Sequence, residues 1–169
     1  MNIQSTLKNN LDSLWKKITH AKYTKIQITD LDEDFDVTID NVGITDFCMG
    51  AVILKTNDGK KFPISVFSVD VAKYISDFQE GKRGDIPSMY NMIEQVYEES
   101  GLLLVKVRIY DSGEALRANL YFTGKKEVVL RNHRASDAIA LATFYSIPIF
   151  IKKSLLQPSP QIPKCSSFF

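Results

Sequence analysis

Two arginines and a histidine fall within four consecutive positions, Arg131-Asn132-His133-Arg134. They stand directly before a run that reads as a helix, Ala135-Ser136-Asp137-Ala138-Ile139-Ala140-Leu141-Ala142. A helix N-terminus exposes backbone N–H groups with no intrahelical partner and carries positive dipole potential, so anions are favoured there. Arginine adds charge-assisted hydrogen bonds that match phosphate oxygens. Read as a loop opening a helix near Ser136, the stretch suits a phosphate held by Arg131, Arg134 and Ser136. Ordinary capping accounts for the same residues: Ser136 would accept a backbone N–H, Asp137 would complement the dipole, and the alanines would permit close packing.

A second candidate surface lies on a hairpin centred on Ser112-Gly113. A two-residue loop there pairs Ile109 with Leu116, Val107 with Ala118 and Val105 with Leu120. The other face then carries Lys106, Arg108, Arg117, Asn119 and Tyr121, with Arg108 opposite Arg117. Like charges directly across a sheet are mildly destabilising. A carboxylate, an oligomer contact or an anionic ligand would offset them, and a solvated face remains the bland alternative.

Other chemistries fit less well. Asp30, Asp32, Asp34 and Asp36 have calcium-loop spacing, but Phe35 occupies the position of the turn glycine and Asn41 that of the bidentate glutamate. The alternation of Phe35, Val37 and Ile39 with polar neighbours favours a solvated acidic turn entering a strand. His20 and His133 lack partners at zinc-ligand spacing, and Cys48 and Cys165 form neither a disulfide framework nor a metal motif. No nucleophile elbow or glycine-rich phosphate loop occurs.

Length and composition bound the remaining choices. The chain has 169 residues, 44% hydrophobic and 24% charged, which suits one core with extensions. Its 21 Lys+Arg against 20 Asp+Glu leave a net charge of +1, so nucleic-acid binding would need a local basic patch. There is no apolar run long enough to span a membrane and no signal-peptide pattern, so a cytoplasmic protein with no membrane role is expected.

The elements that must position these residues follow from periodicity. Ile3, Leu7, Leu11, Leu14, Trp15 and Ile18 recur at helical spacing over 2–21. Such a stripe would pack on the core or on another subunit, so a homo-oligomer is expected. Alternation predicts strands over 25–29, 35–40, 51–56, 61–66, 102–110, 115–122, 127–131 and 147–151. Asn57-Asp58-Gly59 marks the first hairpin. A three-residue loop with Gly59 left-handed sets Leu54 against Phe62 and Val52 against Ile64, which keeps one face apolar. Helices are predicted over 68–80, capped by Ser68 and ended by Gly81, over 87–100, opened by Pro87 and ended by Gly101, and over 136–145. The expected organisation is an N-terminal helical extension and first strand over 1–35, a central domain over 36–156, and a Pro/Ser-rich tail over 157–169. The expected class is α+β, a mixed or antiparallel sheet built from hairpins with helices packed on it.

The run Arg134–Ala142, followed by Ile147-Pro148-Ile149-Phe150-Ile151, resembles the bifunctional nuclease domain family. That family typically shows Arg-Pro-Ser-Asp-Ala-Ile-Ala-Leu-Ala and then a Pro-Ile strand. Phe62-Pro63-Ile64, Asp70, Pro87 and Ala118 resemble further landmarks in order, Asp70 standing where a glutamate is usual. Met89, Tyr90 and Asn91 stand where Thr-His-Asp is common, Ile86 replaces an arginine, Asn132 an aspartate and Ala135 a proline. The resemblance implies an oligomeric α+β domain that cleaves RNA and DNA. On it, Asp70 and Asp137 are the candidate catalytic and metal-binding carboxylates for a divalent cation such as Mg²⁺. His133 is the candidate proton donor or acceptor. Arg131, Arg134, Ser136, Lys106, Arg108 and Arg117 are the candidate phosphate contacts. A non-catalytic oligomeric module for an anionic ligand, nucleic acid or protein is the alternative.

Overall fold

The computed structural model describes residues 34–83 and 88–156. The predicted N-terminal helix, the strand over 25–29, Pro87 and the tail lie outside the described residues. Two three-stranded meanders, β1 (Asp34–Ile44), β2 (Gly50–Thr56) and β3 (Lys61–Phe67), then β4 (Leu103–Asp111), β5 (Leu116–Thr123) and β6 (Val128–Arg134), share one sheet. The last strand, β7 (Ile149–Lys152), joins them in the order β3-β2-β1-β7-β4-β5-β6. It runs antiparallel to β1 and parallel to β4. Ile149 and Ile151 point inward from this central strand and are buried. The predicted α+β class is the one observed.

Three helices accompany the sheet: α1 (Val69–Gln79), α2 (Met89–Ser100) and α3 (Ala135–Tyr145). Ser68 caps α1 by accepting the Asp70 N–H at 3.3 Å, as its residue type predicts. Left-handed Gly101 ends α2, with the Leu102 N–H returning to the Tyr97 carbonyl. Unlike the amphipathic α1, α3 is buried on nearly every side, from Ala135 through Phe144. Its alanines let it lie close to both α1 and the β4–β6 strands, while Phe144 fills space between the helices. The core behind the sheet includes Leu54, Ile75, Val107, Ile109, Leu120 and Ile139.

The first hairpin has the predicted register: Val52 faces Ile64, Leu54 faces Phe62, and Gly59 has φ +86°. The second differs. Its loop has four residues rather than two, closed by Ser112 N–H to the Ala115 carbonyl at 3.1 Å. Ile109 therefore faces Ala118, Val107 faces Leu120 and Arg108 faces Asn119. A shift of two residues preserves the inward and outward faces, so apolar parity cannot detect it. A bulge between Leu104 and Lys106 adds a further displacement.

A candidate phosphate-binding edge

β6 is an edge strand, and the site grows from how it ends. The sequence reading placed residues 131–134 in a loop; they instead finish β6 and pass directly into α3. A bulge makes this possible. Asn132 adopts φ +67°, its N–H donates to Asn119 Oδ1 at 3.2 Å, and the pairing slips between Ala118 and Leu120. Tyr110 Oη lies 3.4 Å from Asn132 Oδ1. Asparagine tolerates the left-handed region better than most residues, which accounts for its place here.

Beyond the bulge the strand resumes with reversed parity. Arg134 stands directly across from Arg117, and His133 across from Ala118. The like-charge pair expected on the outer face therefore exists, but it joins Arg117 to Arg134 rather than to Arg108. Arg108 has a different partner. Its Nε lies 2.8 Å from Asp34 Oδ2 and 3.0 Å from Oδ1, and the Asp34 side chain is only 2% exposed. Asp34 is thus a buried counter-ion and not part of a solvated acidic turn.

Arg134 also forms the N-cap of α3, so the helix starts at Ala135, one residue earlier than expected, and the Arg134 side chain makes no capping hydrogen bond. Ser136 is not the cap; it is 5% exposed within the first turn. Arg134 Nε approaches Asp137 Oδ2 at 3.8 Å, with side-chain exposures of 56% and 42%. Arg131 and His133 are also exposed, His133 on the sheet face opposite to Arg134 because it pairs with buried Ala118. Accessible arginines, a helix N-terminus and an accessible carboxylate meet at this edge. Cationic side chains also discourage a foreign strand from pairing there.

Asp137 has a further neighbour on α2, Tyr90. Burial and the Asp137 charge push the Tyr90 phenol up to about 12. Tyr90 belongs to an aromatic cluster: its ring centroid lies 5.2 Å from Tyr74, 5.1 Å from Phe78 and 6.0 Å from Phe144. Periodicity gives no hint of this, because the four rings come from three helices. Asn91 has a structural task, its Oδ1 accepting from Ser88 N at 2.9 Å and from Ser88 Oγ at 2.8 Å.

Asp70 is exposed in the first turn of α1, one turn before Tyr74. Among the described residues no three His, Cys, Asp or Glu side chains gather as a metal-holding group. Arg134 stands beside Asp137, so a cation drawn to that carboxylate would have to compete with the guanidinium. Lys106 lies on the outer sheet face, 4.5 Å from the Tyr121 ring centroid and 5.8 Å from that of Phe150. Among the described residues no helix is long and apolar enough to cross a membrane.

Fold and edge together describe an α+β sheet protein with a cationic strand-to-helix junction. The chain belongs to the bifunctional nuclease domain family, whose match covers residues 52–162 and includes that junction. No curated protein matches the chain.

Proposed function

We propose that this protein is a nuclease-like phosphodiester-binding protein acting on RNA and DNA without strong sequence preference. The observation that carries the reading is the Arg134–Asp137 pair at the N-terminus of α3, 3.8 Å apart and accessible. Arg134, Arg131 and Arg117 supply cationic donors for phosphate oxygens, and the free amides of the helix start add to them. Phosphate is common to every nucleotide, so contacts of this kind carry no sequence preference.

Hydrolysis needs a proton acceptor for water and a donor for the leaving oxygen. His133, an exposed imidazole on this strand, accepts the proton of the attacking water in the proposal and returns it to the leaving oxygen, with Asp137 orienting the attacking group. Asp70 and Asp137 are the two carboxylates through which Mg²⁺ would act, sharing the ion with substrate phosphate. Self-association is proposed from the N-terminal apolar stripe.

The Arg134 guanidinium, already 3.8 Å from Asp137 Oδ2, favours a second reading, a non-catalytic module that binds the same anion. Purified protein incubated with single-stranded RNA and DNA, with and without magnesium, separates the two. Cleavage that disappears in Asp137→Asn supports the enzyme, whereas binding without cleavage supports the module.

A further inference from the structure

The sheet face turned away from the helices has a composition that the junction alone does not explain. Cross-strand neighbours Tyr110, Arg117 and Arg134 form one row over β4, β5 and β6. Arg108 and Asn119 form the next row, and Lys106 and Tyr121 the one after it, with Val129 beyond them. Phe150 of β7 lies beside Arg108 on the same face. The outward positions of β4, β5 and β6 carry no carboxylate, the Arg108 charge is matched by Asp34, and Asp36 of β1, across from Phe150, bounds the face on that side. Tyr110, Tyr121 and Phe150 are all half-buried, so their rings are partly accessible.

Aromatic rings interleaved with cations on a sheet suit single-stranded nucleic acid. Every unpaired base has a π-face to stack, and the neighbouring cations meet its backbone. A duplex keeps its bases stacked on each other and offers only phosphates to such a surface. Lys106 Nζ, 4.5 Å from the Tyr121 ring centroid, already holds a cation beside a ring. Strands about 4.8 Å apart place the Tyr110–Arg117–Arg134 row across roughly 10 Å, leading from an aromatic ring to the α3 junction.

We infer that the outer face of β4, β5 and β6, with Phe150, is a stacking platform for single-stranded nucleic acid that delivers its backbone to the Arg134 edge. This deepens the proposed function and rests on it. The test measures fluorescence anisotropy of a short labelled oligothymidylate and of a duplex of equal length, using the full chain. The wild type should bind the single strand at least tenfold more tightly. Tyr121→Ala should weaken single-strand binding roughly five- to hundredfold, the range for a lost stacking contact. Tyr121→Phe should retain binding, and a thermal melt of each variant shows that it is folded.

Equal affinity for both forms, with Tyr121→Ala binding like wild type, overturns the platform. If Arg134→Ala then weakens both, the phosphate edge stands without it. Binding to neither nucleic acid also overturns the platform and points to a protein partner for this face, while the cleavage assay judges the nuclease reading separately.

Discussion

Arg108 separates a structural cation from a phosphate-binding one, and the prediction can be given a magnitude. Its Nε sits 2.8 Å and 3.0 Å from the two oxygens of Asp34, whose side chain is 2% exposed against 17% for Arg108. Arg108→Ala would leave that carboxylate buried without the guanidinium. Breaking a buried pair from one side costs about 3–5 kcal/mol, far more than an exposed pair returns. For a chain of this size each kcal/mol moves the melting temperature by about 2–4 °C, so a fall on the order of 10 °C is expected by circular dichroism. Replacing both partners with apolar residues, Arg108→Met with Asp34→Leu, should recover most of that loss, since neither charge is then stranded. Nucleic-acid binding per folded molecule should be unchanged. A melting temperature within a degree or two of wild type would refute the reasoning and return Arg108 to the candidate phosphate contacts.

Further outcomes follow from other parts of the fold. Arg134→Ala should weaken phosphate or nucleic-acid binding by about 1–3 kcal/mol with little change in melting temperature, read by anisotropy and a thermal scan. Gly124→Ala should destabilise strongly, because an added Cβ would run into the Gly101 carbonyl oxygen; a denaturant melt like that of wild type would contradict this. Tyr90, held up to about 12 by burial and then by Asp137, favours the neutral phenol in the folded state. Its stabilising effect is complete below the ordinary tyrosine value near 10 and is lost as pH rises towards 12. Tyr90→Phe should flatten that alkaline limb, and Asp137→Asn should lower the phenol's titration midpoint in an ultraviolet titration. Light scattering should report an oligomer at micromolar concentration, and a monomer would remove the self-association proposal.

Much of the sheet was legible because side-chain parity is a strong signal. Gly59 has to be left-handed for a three-residue loop, and of the two- and three-residue loops that Asn57-Asp58-Gly59 suggests, the longer keeps Val52, Leu54, Phe62 and Ile64 on one face. The same logic failed at the second hairpin, where two- and four-residue loops give identical parity. The wrong choice paired Arg108 with Arg117. The bulge at Asn132 was also hidden, since one left-handed residue extends β6 through Arg134 and moves the start of α3 from Ser136 to Ala135. The central place of β7 depends on long-range pairing that no local pattern records. The candidate edge was legible as a cluster of residue types, but its geometry was not. Arg131, His133 and Arg134 are legible as residue types, while the place of Tyr90 beside Asp137 and the Arg117–Arg134 pairing emerge only from tertiary contacts.

Cleavage by wild type and Asp137→Asn, compared on the same labelled single-stranded RNA and DNA in the presence of magnesium, tests the central claim most directly. The carboxylate lies 3.8 Å from Arg134 in the first turn of α3, where asparagine keeps the shape, and the lost charge should cost only about 0.3–1 kcal/mol of stability. The account predicts cleavage of both substrates by wild type and none by the variant, which remains folded and still binds the strand. Cleavage undiminished in Asp137→Asn, or wild type that binds both substrates and cuts neither, would contradict it.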